Sequence, residues 1–137
     1  MNYPRNVLRC TKRISIGGAS VDLDLHVLSL RAHPVERFEF MCAVLDRVSA
    51  SVAACDAVLE DIEKVESGAI ATAGRGLDEY AVDFTKDGAV FWFEHAPDGQ
   101  QAGGRVSLGQ LKLAVQTFRQ FLNDPDRKVI EVAFPDA

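Results

Sequence analysis

The sequence predicts an α+β domain in two layers, with a mainly antiparallel sheet, the element order ββαββαβ and the helices packed on one face of the sheet. Three observations carry this. Two strand–turn–strand runs alternate apolar and polar residues, as half-buried strands do. Two longer stretches repeat apolar residues at intervals of three and four, as amphipathic helices do. Hairpins joined by helices build an antiparallel sheet with its helices on one side.

Residues 1–9 read as a loosely ordered start. Cys10 to Ile16 is a short β-prone run with Ile14 and Ile16 on one face, followed by a turn at Gly17-Gly18-Ala19. In the strand from Ser20 to Arg31, Val21, Leu23, Leu25 and Val27 face one way, and Asp22, Asp24 and His26 the other. Pro34 suits the first turn of a helix. Phe38, Met41, Leu45, Val48, Val52, Cys55, Leu59 and Ile62 then follow at alternating spacings of three and four, a heptad seam. Glu39, Asp46, Arg47, Asp56, Glu60, Asp61 and Glu63 lie off the seam, and Ser67-Gly68 is a stop signal. One helix over 34–66 would be roughly 45–50 Å long. The second helix is much shorter, so either the sheet covers the rest of the seam or a second copy does, giving a homodimer through the 34–66 helix.

Residues 68–76 read as a loop. Leu77 to Thr85 and Ala89 to His95 form a hairpin around Asp87-Gly88. That turn sets Lys86 opposite Ala89, Phe84 opposite Phe91, Val82 opposite Phe93 and Tyr80 opposite His95. One face then holds Tyr80, Val82, Phe84, Phe91 and Phe93, a core face. The other holds Glu79, Ala81, Asp83, Thr85, Val90, Trp92 and Glu94. Residues 96–105 read as a polar loop. Ser107-Leu108-Gly109-Gln110 is a capping box with Val106 and Leu111 at the staple positions. Leu108, Leu111, Val115, Phe118 and Leu122 form the stripe of the second helix, and Asn123-Asp124-Pro125 stops it. Lys128 to Phe134 is the last strand, with Ile130, Val132 and Phe134 on one face.

A chain of 137 residues suits one domain over 1–137. Hydrophobic residues make up 47% and charged residues 26%, which excludes the disordered and fibrous classes. No apolar run approaches the ~20 residues of a membrane span, and no apolar segment follows Arg5 and Arg9 as in a signal peptide. The three cysteines, Cys10, Cys42 and Cys55, form no CxxC and read as small buried thiols of a reducing, cytoplasmic compartment. Only Cys10 lies where exposure is conceivable. The net charge of −5 disfavours a nucleic-acid surface and is compatible with a basic partner.

Catalytic signatures are missing from the sequence. His26, His33 and His95 stand in no metal-ligand spacing, no GxSxG elbow occurs, and GAIATAGRG fits neither glycine-rich phosphate motif. No catalytic, cofactor-binding or metal-binding residue is therefore assigned, and the expectation is a protein that is not an enzyme. The informative surface is the second face of the central hairpin. If the helices cover this face, Trp92 is core. If they cover the phenylalanine face, Trp92 stands among Asp83 and Glu94, as an anchor for a cationic protein surface would. Glu60, Asp61 and Glu63 on the long helix form the alternative acidic patch.

The run Val82-Asp83-Phe84, Asp87-Gly88, Phe91-Trp92-Phe93-Glu94, Val106-Ser107-Leu108, Phe118-Arg119-Gln120-Phe121-Leu122 and Asp124-Pro125 resembles small bacterial immunity proteins of polymorphic toxin systems, those of contact-dependent growth inhibition included. The resemblance implies a cytoplasmic α+β protein that binds a partner toxin, often a cationic nuclease domain, and blocks it. It carries over no toxin-contacting residue. A secretion-chaperone-like or adaptor protein is the alternative, although that class is expected to begin with a helix. A small enzyme or ligand-binding domain is a third.

Overall fold

The computed structural model describes residues 6–14, 21–29, 33, 35–77, 79–93 and 101–137. The elements are β1 (Asn6–Ile14), β2 (Val21–Ser29), α1 (Glu36–Val48), α2 (Val52–Ser67), β3 (Ala73–Leu77), β4 (Tyr80–Thr85), β5 (Gly88–Phe93), β6 (Gln101–Val106), α3 (Leu108–Asn123) and β7 (Ile130–Phe134). The class is α+β, as the sequence predicts. The order is ββααββββαβ, and there are two antiparallel sheets where one was expected. The first runs β2-β1-β7 and the second β3-β4-β5-β6.

Each sheet buries one face against the same helices. From the first sheet come Leu8, Cys10, Leu25, Val27 and Phe134, and from the second Val82, Phe84, Ala89, Phe91 and Val106. Helix α1 touches β2 on one side and all four strands of the second sheet on the other, and α3 reaches β1, β7 and β5. These side chains form one continuous core. Phe38 of α1 meets Phe134 of β7 edge-on at 5.1 Å between ring centroids, locking helix to sheet.

The expected single helix over 34–66 is two helices. Ser49 is buried, and its hydroxyl donates to the Leu45 carbonyl at 2.7 Å, closing α1. Ser51 caps α2 by accepting from the Ala54 N–H at 3.0 Å. The Cys55 thiol donates to the Ser49 carbonyl across the break at 3.2 Å. The seam shifts accordingly: Cys55, Val58, Ile62 and Val65 are buried in α2, while Val52 and Leu59 are only half-buried. The stop is where the sequence places it, with Gly68 left-handed at φ 82°. Pro34 and the Gly17-Gly18-Ala19 turn lie outside the described residues.

Two expected loops contain strands. Residues 73–77 of the first are β3, and 101–106 of the second are β6. The supposedly loose start contains β1, paired from Asn6 onward with both β2 and β7. Cys10 is fully buried on this strand, as are Cys42 and Cys55 in their helices, in line with the reading of all three as buried thiols.

The β4–β5 register differs by two positions from the expected one. Thr85 pairs with Gly88, Phe84 with Ala89, Val82 with Phe91 and Tyr80 with Phe93, so the turn residues are Lys86 and Asp87. The Asp87 N–H donates to the Thr85 hydroxyl at 3.1 Å. Gly88 serves a different purpose from the expected one: at φ 135° it lets β6 approach, and a Cβ there would meet the Val106 carbonyl oxygen at 2.5 Å. A shift of two leaves both faces of the hairpin unchanged. Val82, Phe84 and Phe91 are buried as expected, while Tyr80 and Phe93 are half-buried and stack at 5.0 Å. The expected partner of Tyr80, His95, lies outside the described residues.

Helix α3 follows the sequence closely. Both halves of the Ser107–Gln110 capping box form, at 3.0 Å and 2.8 Å. Leu108, Leu111, Val115, Phe118 and Leu122 are buried, and Asp124 caps the end.

Candidate functional site

The helices cover the phenylalanine face of the second sheet, which leaves Ala81, Asp83, Thr85, Val90 and Trp92 on the other face. Among the described residues no helix packs on that side. Trp92 is half-buried there, so it is neither a core residue nor fully exposed. The corrected register puts Ala81 directly across from it, with Asp83 diagonal and Gln101 of β6 on its other side. Its indole Nε1 is buried and has no hydrogen-bond partner among the described residues. Glu94, expected beside it, lies outside the described residues.

Asp83 is exposed and pairs across the sheet with Val90 and Gly74. Its carboxylate leans over Gly74, whose missing side chain makes the room: a Cβ there would collide with Oδ1. Asp83 makes no ion pair or hydrogen bond with a described residue. It lines an open cleft of about 510 Å³ together with Thr72, Gly74, Thr85, Val90 and Arg105. Arg105 is exposed, and its side chain is likewise unpaired among the described residues. The cleft therefore offers one carboxylate, one guanidinium and two hydroxyls among glycines and apolar residues.

The second acidic patch is arranged differently. Asp61 pairs with Arg75 of β3 at 2.9 Å, Glu60 with Lys64 at 3.4 Å, and Asp56 with Arg119 of α3 at 2.5 Å. Asp56 holds the Arg119 guanidinium above its usual range. Of the expected strip only Glu63 has no partner among the described residues. These carboxylates tie α2 to β3 and α3, which reduces their field toward solvent. The two patches do not come together: α2 lies on the helix side of the sheet, and Asp83 and Trp92 on the opposite face.

Gly74 and Arg105 were missed by the sequence reading because the strands that carry them were read as loops, and Thr72 because it directly precedes β3. The alternating glycines of Ala73-Gly74-Arg75-Gly76 are the signal that was available, since glycine inside a strand marks a close approach.

Nucleophilic chemistry has no support in the core. Burial pushes the Cys10 and Cys42 thiols up to about 12 and Cys55 up to about 11. Among the described residues no group of three or more His, Cys, Asp or Glu side chains could hold a metal ion, and no helix is long and apolar enough to cross a membrane. No family model, curated protein or solved structure matches the chain.

Proposed function

We propose that the chain is a non-enzymatic binding protein of the immunity type, which neutralises a cognate toxin in the cytoplasm by docking on it through the open face of the second sheet. The observation that supports this reading is the Trp92–Asp83–Arg105 surface. It sets a half-buried tryptophan near a carboxylate and a guanidinium that are unpaired among the described residues, on a face that no described helix covers. Aromatic anchors beside unpaired charges are what protein interfaces are built from. The net charge of −5 favours a basic partner, and Asp83 is the carboxylate placed to meet it.

The test starts from a partner captured from the source cells with the tagged protein and then purified. Co-expression of the two should restore growth that the partner alone arrests. Asp83→Lys should slow association, most clearly at low salt, because charge at an interface acts mainly on the on-rate. Trp92→Ala should speed dissociation and cost about 2 kcal/mol or more of affinity, measured on protein shown by melting to be folded. A captured partner that is a harmless secreted effector would favour the chaperone or adaptor reading instead. Affinity indifferent to both substitutions would overturn this surface as the docking face.

A further inference from the structure

The edge of the second sheet carries an inference that rests on the reading above and makes the partner's chemistry specific. Among the described residues β3 has β4 as its one neighbour in that sheet, and no described strand pairs with the backbone N–H and C=O groups of its outer side. Residues Gly74 to Leu77 are all exposed, Leu77 at 49%. Natural edges are blunted by short length, proline, bulges, outward charges or a covering helix; β3 is five residues long and touches α2, but has no proline, no bulge and no charge directed outward. Its five pairs with β4 run without a register shift. Its one charged side chain, Arg75, is drawn to the helix side by Asp61 at 2.9 Å and the Ala57 carbonyl at 3.5 Å. The opposite edge, β6, has an irregular register against β5.

The second observation is the gap at Gly74. On the open face, Asp83 and Gly74 lie in one cross-strand row. Because Gly74 has no side chain, the Asp83 carboxylate extends over it toward the edge. Strands lie about 4.8 Å apart, so a residue opposite Gly74 on an added strand would sit about 10 Å from the Asp83 backbone, with only hydrogen between them. A long cationic side chain leaning back across that gap meets the carboxylate.

We propose that β3 is a docking edge, to which an extended segment of the protein partner adds as a further strand, with a lysine or arginine opposite Gly74 that pairs with Asp83. Backbone hydrogen bonds along β3 supply the affinity and the Asp83 contact supplies the selection, as in strand addition generally. The cleft beside Arg105 then receives the next side chains of the same segment on the open face.

The probe is a nine-residue peptide of alternating threonine and valine with one central lysine, titrated to millimolar concentration into the full chain and followed by backbone amide shifts. Saturable shifts should centre on Ala73 to Leu77. N-methylation at alternate peptide positions, made in both phases, should abolish them in one phase only, because only one set of amides faces β3. A central glutamate should weaken binding by about fivefold, the upper end for a cross-strand charge pair. In the Asp83→Asn protein the two peptides should bind within about twofold of each other. Gly74→Ala, which pushes the carboxylate aside, should reduce the preference in the same way while strand pairing survives. The proposal is overturned if β3 amides do not shift, or if peptides methylated in either phase bind as well as the unmodified one. Those outcomes leave the open-face reading standing if the purified partner still responds to Trp92→Ala, so the two can fail separately.

Discussion

At the scale of single residues, the cysteines exemplify how burial sets chemistry. Desolvation is the largest cause of all three raised values, and mutual repulsion adds to it, Cys55 acting on Cys10 and Cys10 on Cys42. A disulfide reagent at pH 8 should therefore find no reactive thiol in the native protein and three after denaturation. The linkage sign is definite. Below the ordinary value of 9.0 the thiols are protonated in both states. Between there and about 12 only the unfolded chain ionises, so stability falls as pH rises across that window. Replacing Cys42 by alanine should flatten that alkaline loss in denaturant melts, whatever it does to stability at neutral pH. Cys55 was legible as an inert thiol because the apolar seam of its helix places it inward. For Cys10 the sequence left exposure conceivable, because the side chains that cover it come from strands and helices distant in sequence.

At the scale of elements, the break between α1 and α2 depends on two serines. Replacing Ser51 by alanine removes the acceptor for the Ala54 N–H and should cost about 1 kcal/mol, read as a lower urea midpoint with an unchanged slope. An unchanged midpoint would mean that tertiary packing alone holds the start of α2. The heptad spacing hid this break, because an apolar residue recurs at the expected interval on both sides of it. The capping box of α3 was legible because its two hydrogen bonds span three residues. β3 and β6 were not, since glycine depresses strand propensity and their pairing is decided by neighbours. The hairpin faces were legible but the register was not, because Gly88 looks like a turn residue and is used for the approach of β6.

At the scale of the whole molecule, the seam that suggested a second copy is covered within the chain. Phe38, Met41, Leu45 and Val48 are buried against the sheets, and α3 packs along α2. Sedimentation equilibrium should accordingly give the mass of one 15.0 kDa chain up to high micromolar concentration. A concentration-dependent dimer would point to an open edge or open face as the contact. The division into two sheets could not be read from the sequence, because it depends on β7 pairing with β1 instead of joining the central hairpin. The candidate site was half legible. Asp83 and Trp92 follow from alternation alone, whereas the cleft that Asp83 lines needs β3 and β6 in place.

The pairing of residues 6–10 with 130–134 also orders events during synthesis. A nascent chain can close the hairpin of β4 and β5 and add β3 and β6 while β7 is still unmade. Until residue 134 has left the ribosome, β1 keeps one side unpaired and Cys10 lacks part of its cover. Pairings between distant segments form slowly, and an open strand edge is where unfinished chains stick to one another. Strand β1, paired early with β2, thus waits longest for its second neighbour, and crowding by neighbouring ribosomes would act on that open side.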